Sequence, residues 1–172
     1  MLTLLLLRHA KSSWDDPGLD DFDRPLAKRG TRAAAAIGSF LGASGLKPGL
    51  VLCSAAVRTR ATLALLLCEL DDPPPEVLTN ENLYLAGADA VLGELRRAGG
   101  TTPTVMVVGH NPGLHALALS LSGDGDRKAL ADLAMKFPTG ALAVITFDCS
   151  RWSEIKPAAG RLKRFITPRG LA

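Results

Sequence analysis

The chain has 172 residues, 47% apolar and 22% charged, with a formal net charge of +3. That size predicts one compact domain over residues 1–172, and the mild positive balance is too weak to argue for a nucleic-acid or membrane partner. The longest apolar runs, Leu4–Leu7 and Leu63–Cys68, fall far short of a membrane span.

In chain order, Thr3–Leu7 is a continuous apolar run, the pattern of a strand buried on both faces. No basic residues precede it and no small-residue cleavage site follows, so it does not read as a signal peptide. A polar loop, Ser12–Asp23, leads to an alanine-rich helix at Thr31–Leu41, which ends near Gly42 and Gly45. Leu50–Cys53 reads as a second strand, with Ser54 placed to cap a helix running toward Leu70. Asp71-Asp72-Pro73-Pro74-Pro75 breaks that helix. Glu76–Thr79 is expected as an edge strand, Asp89–Ala98 as a helix and Thr104–Val108 as another buried strand. Gly109–Gly113 is a turn in which Gly109 and Asn111 tolerate positive φ and Pro112 suits the first helical position. Helices are expected at Leu114–Leu121 and Lys128–Leu133, and late strands at Ala141–Phe147 and Arg161–Ile166. This alternation predicts an α/β domain, a largely parallel sheet with helices on both faces. The three cysteines, Cys53, Cys68 and Cys149, are odd in number and far apart, which suits reduced core residues in a cytoplasmic protein rather than a disulfide framework or a zinc site.

Open α/β sheets bind ligands at the carboxyl ends of their strands. Three buried runs end in residues that carry chemistry: the first in Arg8-His9, the second in Ser54 with Arg58 one turn on, the third in Gly109-His110-Asn111. Each has a structural reading by itself: an ordinary pair, a cap plus a surface arginine, a turn. Together they place two histidines and two arginines on one sheet edge, beside helix starts that add backbone donors. Such a pocket fits a phosphoryl group: guanidiniums clamp its oxygens, and cations keep a neighbouring imidazole neutral and nucleophilic. No metal is required, because the arginines supply the positive charge. The third histidine, His115, lies within a predicted helix and is taken as structural.

LLLLRHAKSSW resembles the Arg-His-Gly signature of the histidine phosphatase superfamily, and Arg8 to Ser12 resemble its small bacterial branch, the SixA-type phosphohistidine phosphatases. DFDRPLAKRG (Asp21–Gly30), CSAAVRTRAT (Cys53–Thr62), VVGHNPGL (Val107–Leu114) and KFPTGALAVITFD with the later Trp152 are similar to further blocks of that branch, in the expected order. The resemblance implies a three-layer α/β/α sandwich of the phosphoglycerate mutase-like type with a mostly parallel central sheet and no large lid insertion. It implies that His9 is the nucleophile, with Arg8, Arg58 and His110 binding the phosphoryl group and Asn111 beside them. It also points to Glu81, in Thr79-Asn80-Glu81-Asn82, as a candidate general acid, because mutases carry a glutamate in a comparable place. The aspartates at 15, 16, 20, 21 and 23 form a second pool of acids, otherwise read as a solvated rim with Asp23 tied to Arg24 or Arg29. Two positions depart from the mutase pattern. Ala10 replaces the signature glycine, and Asp15 stands where mutases have a phosphate-holding asparagine, so it must point away or be protonated.

The expected activity is therefore metal- and cofactor-independent removal of phosphate from phosphohistidine on a partner such as a histidine-transfer protein, by a cytoplasmic monomer. The alternatives are a phosphatase of small phosphomonoesters with Glu81 as acid, and a non-catalytic phosphate-binding module.

Overall fold

Strand β1 (Leu2–Arg8) buries side chains on both faces, as its unbroken apolar run requires. In the computed structural model, which describes residues 1–172, Leu4, Leu5, Leu6 and Leu7 are all completely buried, each contributing about 1.5–3 kcal/mol. The chain continues through α1 (Lys28–Ala43), β2 (Leu50–Ser54), α2 (Val57–Leu67), β3 (Glu76–Asn80), α3 (Ala88–Ala98), β4 (Thr104–Gly109) and α4 (Gly113–Leu121). It closes with β5 (Ser122–Gly125), α5 (Arg127–Met135), β6 (Leu142–Phe147), β7 (Gly160–Ile166) and α6 (Pro168–Leu171). The strands form one mixed sheet in the order β3-β2-β4-β1-β6-β7-β5, in which only β6 runs against β1.

Alternation along the central strands divides the core in two. Leu2, Leu4 and Leu6 of β1, with Val105 and Val107 of β4, pack with Leu92, Leu95, Leu117 and Leu133 from α3, α4 and α5. Leu5, Leu7, Met106 and Val108 point the other way and pack with Ile37 and Leu41 of α1 and Leu63 and Leu66 of α2. Helices thus cover both faces, giving the three-layer α/β/α arrangement. The longest connection at the carboxyl edge of the parallel strands is residues 9–27, between β1 and α1. It is pinned by an isolated bridge between Ser12 and Leu26 and by Gly30 of α1. A Cβ at Gly30 would lie 2.1 Å from the carbonyl oxygen of Lys11, so only glycine lets the start of α1 rest on the backbone just after His9.

Several local expectations need correction. Ser54 does not cap α2: the N-cap is Ala56, without a side-chain bond, and the Ser54 hydroxyl is used elsewhere. That helix stops at Leu67 rather than near Leu70. Pro112 is the N-cap of α4 rather than its first residue. Strand β5 was not expected, because Ser122-Gly123-Asp124-Gly125 carries no apolar alternation; it forms because β7 offers a free edge. Of the cysteines only Cys53 lies in the core; Cys68 is exposed and Cys149 half-buried, and none is paired.

Candidate active site

Register alone assembles the site. Arg8 of β1 pairs with Gly109 of β4, so the next residues, His9 and His110, leave adjacent strands side by side. Cys53 of β2 pairs with Val108 on the other flank of β4, which brings Ser54 alongside. The imidazole centroids of His9 and His110 are 5.4 Å apart, and both side chains are buried. Arg58, in the first turn of α2, is only 3% exposed and reaches both rings, with Nε 3.4 Å from His9 Nε2 and one terminal nitrogen 3.4 Å from His110 Nδ1.

The hydrogen bonds fix both tautomers. His9 Nδ1 lies 2.8 Å from the carbonyl oxygen of Ala10, which can only accept, so Nδ1 carries the proton and Nε2 keeps its lone pair. Arg58 can only donate, so His110 Nδ1 accepts, and the Nε2 proton of His110 is directed at the Ser54 hydroxyl, 2.7 Å away. Burial, with the Arg58, Arg8 and Arg24 charges added, pulls His9 down to about 4 despite the opposing bond to Ala10. Burial, then His9 and Arg58, brings His110 to about 3. Both rings are neutral at physiological pH, and the unprotonated Nε2 of His9, which accepts a long hydrogen bond from Arg58 Nε, is its nucleophilic nitrogen.

Arg8 and Asn111 are tethered to the same point. Arg8 donates to the carbonyl oxygen of Phe137 at 3.0 Å, and the Asn111 amide donates to it at 2.8 Å. Arg8 Nε and Asn111 Oδ1 are both buried and bond to nothing in the protein. A buried guanidinium N–H without an acceptor is costly and marks a place that an anion would satisfy.

Sequence reasoning passed over a second layer. Asp21 accepts from a terminal nitrogen of Arg58 at 3.0 Å, from Arg24 Nε at 3.1 Å, and from the Tyr84 hydroxyl, while its backbone carbonyl takes another Arg58 N–H at 2.6 Å. Tyr84, then Arg58 and Arg24, hold its carboxyl down to about 2. Burial, and then the same Asp21 contact, raises the Tyr84 phenol, so its proton stays in place. Asp23 is exposed and pairs with neither Arg24 nor Arg29; the aspartate tied to Arg24 is Asp21. Arg24 also donates to Ser12 and stacks 3.4 Å over the ring centroid of the exposed Trp14. Tyr84, the only tyrosine in the chain, and the motif position of Asp21 were the available signals.

Glu81 is not brought into this cluster. It follows β3, whose Asn80 pairs with Ser54 on β2, so it lies on the same edge but two strands from β4 and three from β1. The turn that begins at Glu81 nevertheless carries Tyr84 back over the site, with its ring centroid 5.4 Å from that of His110. Its side chain is exposed and forms no ion pair. Asp15, Asp16 and Asp20 are also exposed, and Asp15 is oriented to solvent. His115 lies 2.6 Å from the carbonyl oxygen of Leu133, a bond between α4 and α5. No group of three or more histidine, cysteine, aspartate or glutamate side chains is arranged to hold a metal ion.

A family model, the histidine phosphatase superfamily (branch 1), matches residues 4–84. The chain is 39% identical over 165 residues to the uncharacterised protein Rv1276c of Mycobacterium tuberculosis (strain ATCC 25618 / H37Rv), covering 95% of this chain and 100% of that one. Two solved structures, each described as a "putative phosphohistidine phosphatase SixA", are both 31% identical to it. That from Nakamurella multipartitia superposes with a TM-score of 0.82 over 97% of this chain and 96% of its own. That from Agrobacterium tumefaciens gives 0.81 over 97% and 98%. The chain belongs to the histidine phosphatase superfamily. Within it, the sequence and the whole-chain superpositions place it in the SixA-type branch.

Proposed function

We propose that the chain is a phosphatase that works through a phosphohistidine on His9 and removes phosphate from phosphohistidine on a partner protein, such as a histidine-transfer domain. One observation carries the choice of substrate: an unprotonated imidazole nitrogen lies beside the arginines, and the only carboxyl bonded to the cluster cannot deliver a proton. Asp21, the one carboxyl in contact, is held ionised near 2 and is saturated by Tyr84, Arg58 and Arg24. An alkoxide leaving group needs such a proton; an imidazole already protonated on its far nitrogen does not.

In the first step His9 Nε2 attacks phosphorus, the bond to the substrate nitrogen breaks, and that imidazole leaves as the neutral ring. Arg8 and Arg58 hold the transferred oxygens. The incoming dianion raises the affinity of His110 for a proton, so Nδ1 takes one from solvent and changes from acceptor to donor toward a phosphoryl oxygen. In the second step water attacks phosphorus, the Nε2–phosphorus bond breaks, and inorganic phosphate leaves. The Nδ1 proton on the Ala10 carbonyl keeps Nε2 aimed throughout. The unpaired thiols suit a reducing, cytoplasmic setting.

The test compares turnover of a phosphorylated histidine-transfer domain with a panel of sugar and nucleotide phosphates. The proposal expects preference for the phosphoprotein. Faster turnover of an alkyl phosphate, lost in Glu81→Gln, would transfer the assignment to the phosphomonoester reading.

A further inference from the structure

Beside the catalytic pocket lies a groove of about 760 Å³ into which Lys11, Arg29, Arg32, Lys136 and Arg169 project; no aspartate or glutamate side chain lines it, and the one opposing charge is the terminal carboxylate of Ala172. None of the five forms an ion pair. The whole chain carries only +3, so positive charge is concentrated here and the remaining surface is slightly acidic. The groove shares its walls with the site. Lys11 is two residues from His9, a Cα separation of at most about 7 Å. Lys136 precedes Phe137, whose carbonyl tethers Arg8 and Asn111. Thr139, also in the lining, precedes Gly140, whose N–H bonds the carbonyls of Arg8 and His9.

We propose that this groove docks an acidic segment of the partner protein next to its phosphohistidine. The inference rests on the phosphohistidine reading for its substrate, but not for its anion chemistry. The character of the cations favours an acidic chain over a compact polyphosphate. All five are exposed and come from four separate segments, with Arg29 and Arg32 one turn apart on α1, the arrangement that steers and orients an extended acidic surface. A built polyphosphate site would bury its cations and add converging backbone donors. Ala33 and Ala36 leave the floor low enough for a peptide backbone to lie along α1.

The experiment uses the full chain and three probes: phosphohistidine peptides with acidic or with neutral flanks, phosphoimidazole, and a labelled unphosphorylated acidic peptide followed by fluorescence anisotropy. At low salt, kcat/KM is expected about tenfold higher for the acidic flank, within the range of electrostatic steering, and the preference fades by 0.5 M salt. Arg29→Glu/Arg32→Glu should abolish the preference and the anisotropy signal, while phosphoimidazole turnover stays within twofold. Arg29→Gln/Arg32→Gln serves if the reversal does not fold. A preference that is absent in the wild type, or that survives both double variants, overturns the proposal. So does a single-stranded oligonucleotide that binds through Arg29 and Arg32 when the acidic peptide does not. If no phosphohistidine probe is turned over but the acidic peptide still binds through these arginines, the activity reading fails and the groove stands.

Discussion

Two buried neutral histidines have a cost that appears in acid. His9 is held near 4, against about 6.5 for a free imidazole, mainly by burial. The unfolded chain therefore takes up a proton at this position below about pH 6.5, while the folded chain refuses it until about pH 4. The folded state binds fewer protons across that window, so stability is complete above about pH 6.5 and falls as pH drops toward 4. At pH 5 the folded ring is about 90% neutral and a free imidazole about 3%, which makes the His9 contribution about 2 kcal/mol relative to pH 7.5. His110 acts in the same direction, but the two rings interact and their effects do not simply add. Urea unfolding of the wild type and of His9→Gln at pH 7.5 and pH 5 measures this. The variant should lose less stability on acidification, by about 2 kcal/mol or roughly 1 M in urea midpoint. Histidine ring resonances followed by NMR should place the His9 transition near pH 4. A transition near 6.5, or equal acid sensitivity in variant and wild type, would refute the electrostatic picture of the pocket.

Asp21→Asn removes the charge that holds Arg58 and Arg24 and should lower kcat/KM about 10- to 100-fold, as expected for charge-assisted bonds of about 1.5–3 kcal/mol, with fold and oligomeric state intact by circular dichroism and gel filtration. Ser54→Ala leaves the buried His110 Nε2 proton without its acceptor; turnover should fall about tenfold and the His110 nitrogen resonances should report a changed tautomer, a signature that mere loosening would not give. Glu81→Gln should leave turnover of phosphohistidine substrates within twofold, since the side chain is exposed and unpaired.

The strand ends were legible because burial is written in the sequence: an apolar run that stops at Arg8-His9 or Gly109-His110 announces where the strand leaves the core. Helices covering both faces followed from the same alternation. Lateral order in the sheet was not legible. Strands β3 and β4 end at the same edge, yet β2 lies between them, and no local pattern encodes that insertion. The Asp21–Arg58–Tyr84 cluster was hidden for a similar reason. Its members come from a loop, a helix start and a turn after an edge strand, joined only by tertiary contact, and the dense aspartates around Asp21 made it look like ordinary solvated charge. Ser54 was misjudged because a serine before a helix usually caps it, whereas here the register with β4 presents its hydroxyl to His110.

The central claim is that His9 Nε2 receives the phosphoryl group. Brief incubation with a radiolabelled phosphodonor, followed by acid and alkali treatment and mass spectrometry of the peptide containing residue 9, tests it most directly. The account predicts a label on His9 that survives alkali, is lost in acid, and is absent from His9→Ala; an acid-stable label, or one that persists in His9→Ala, would contradict it.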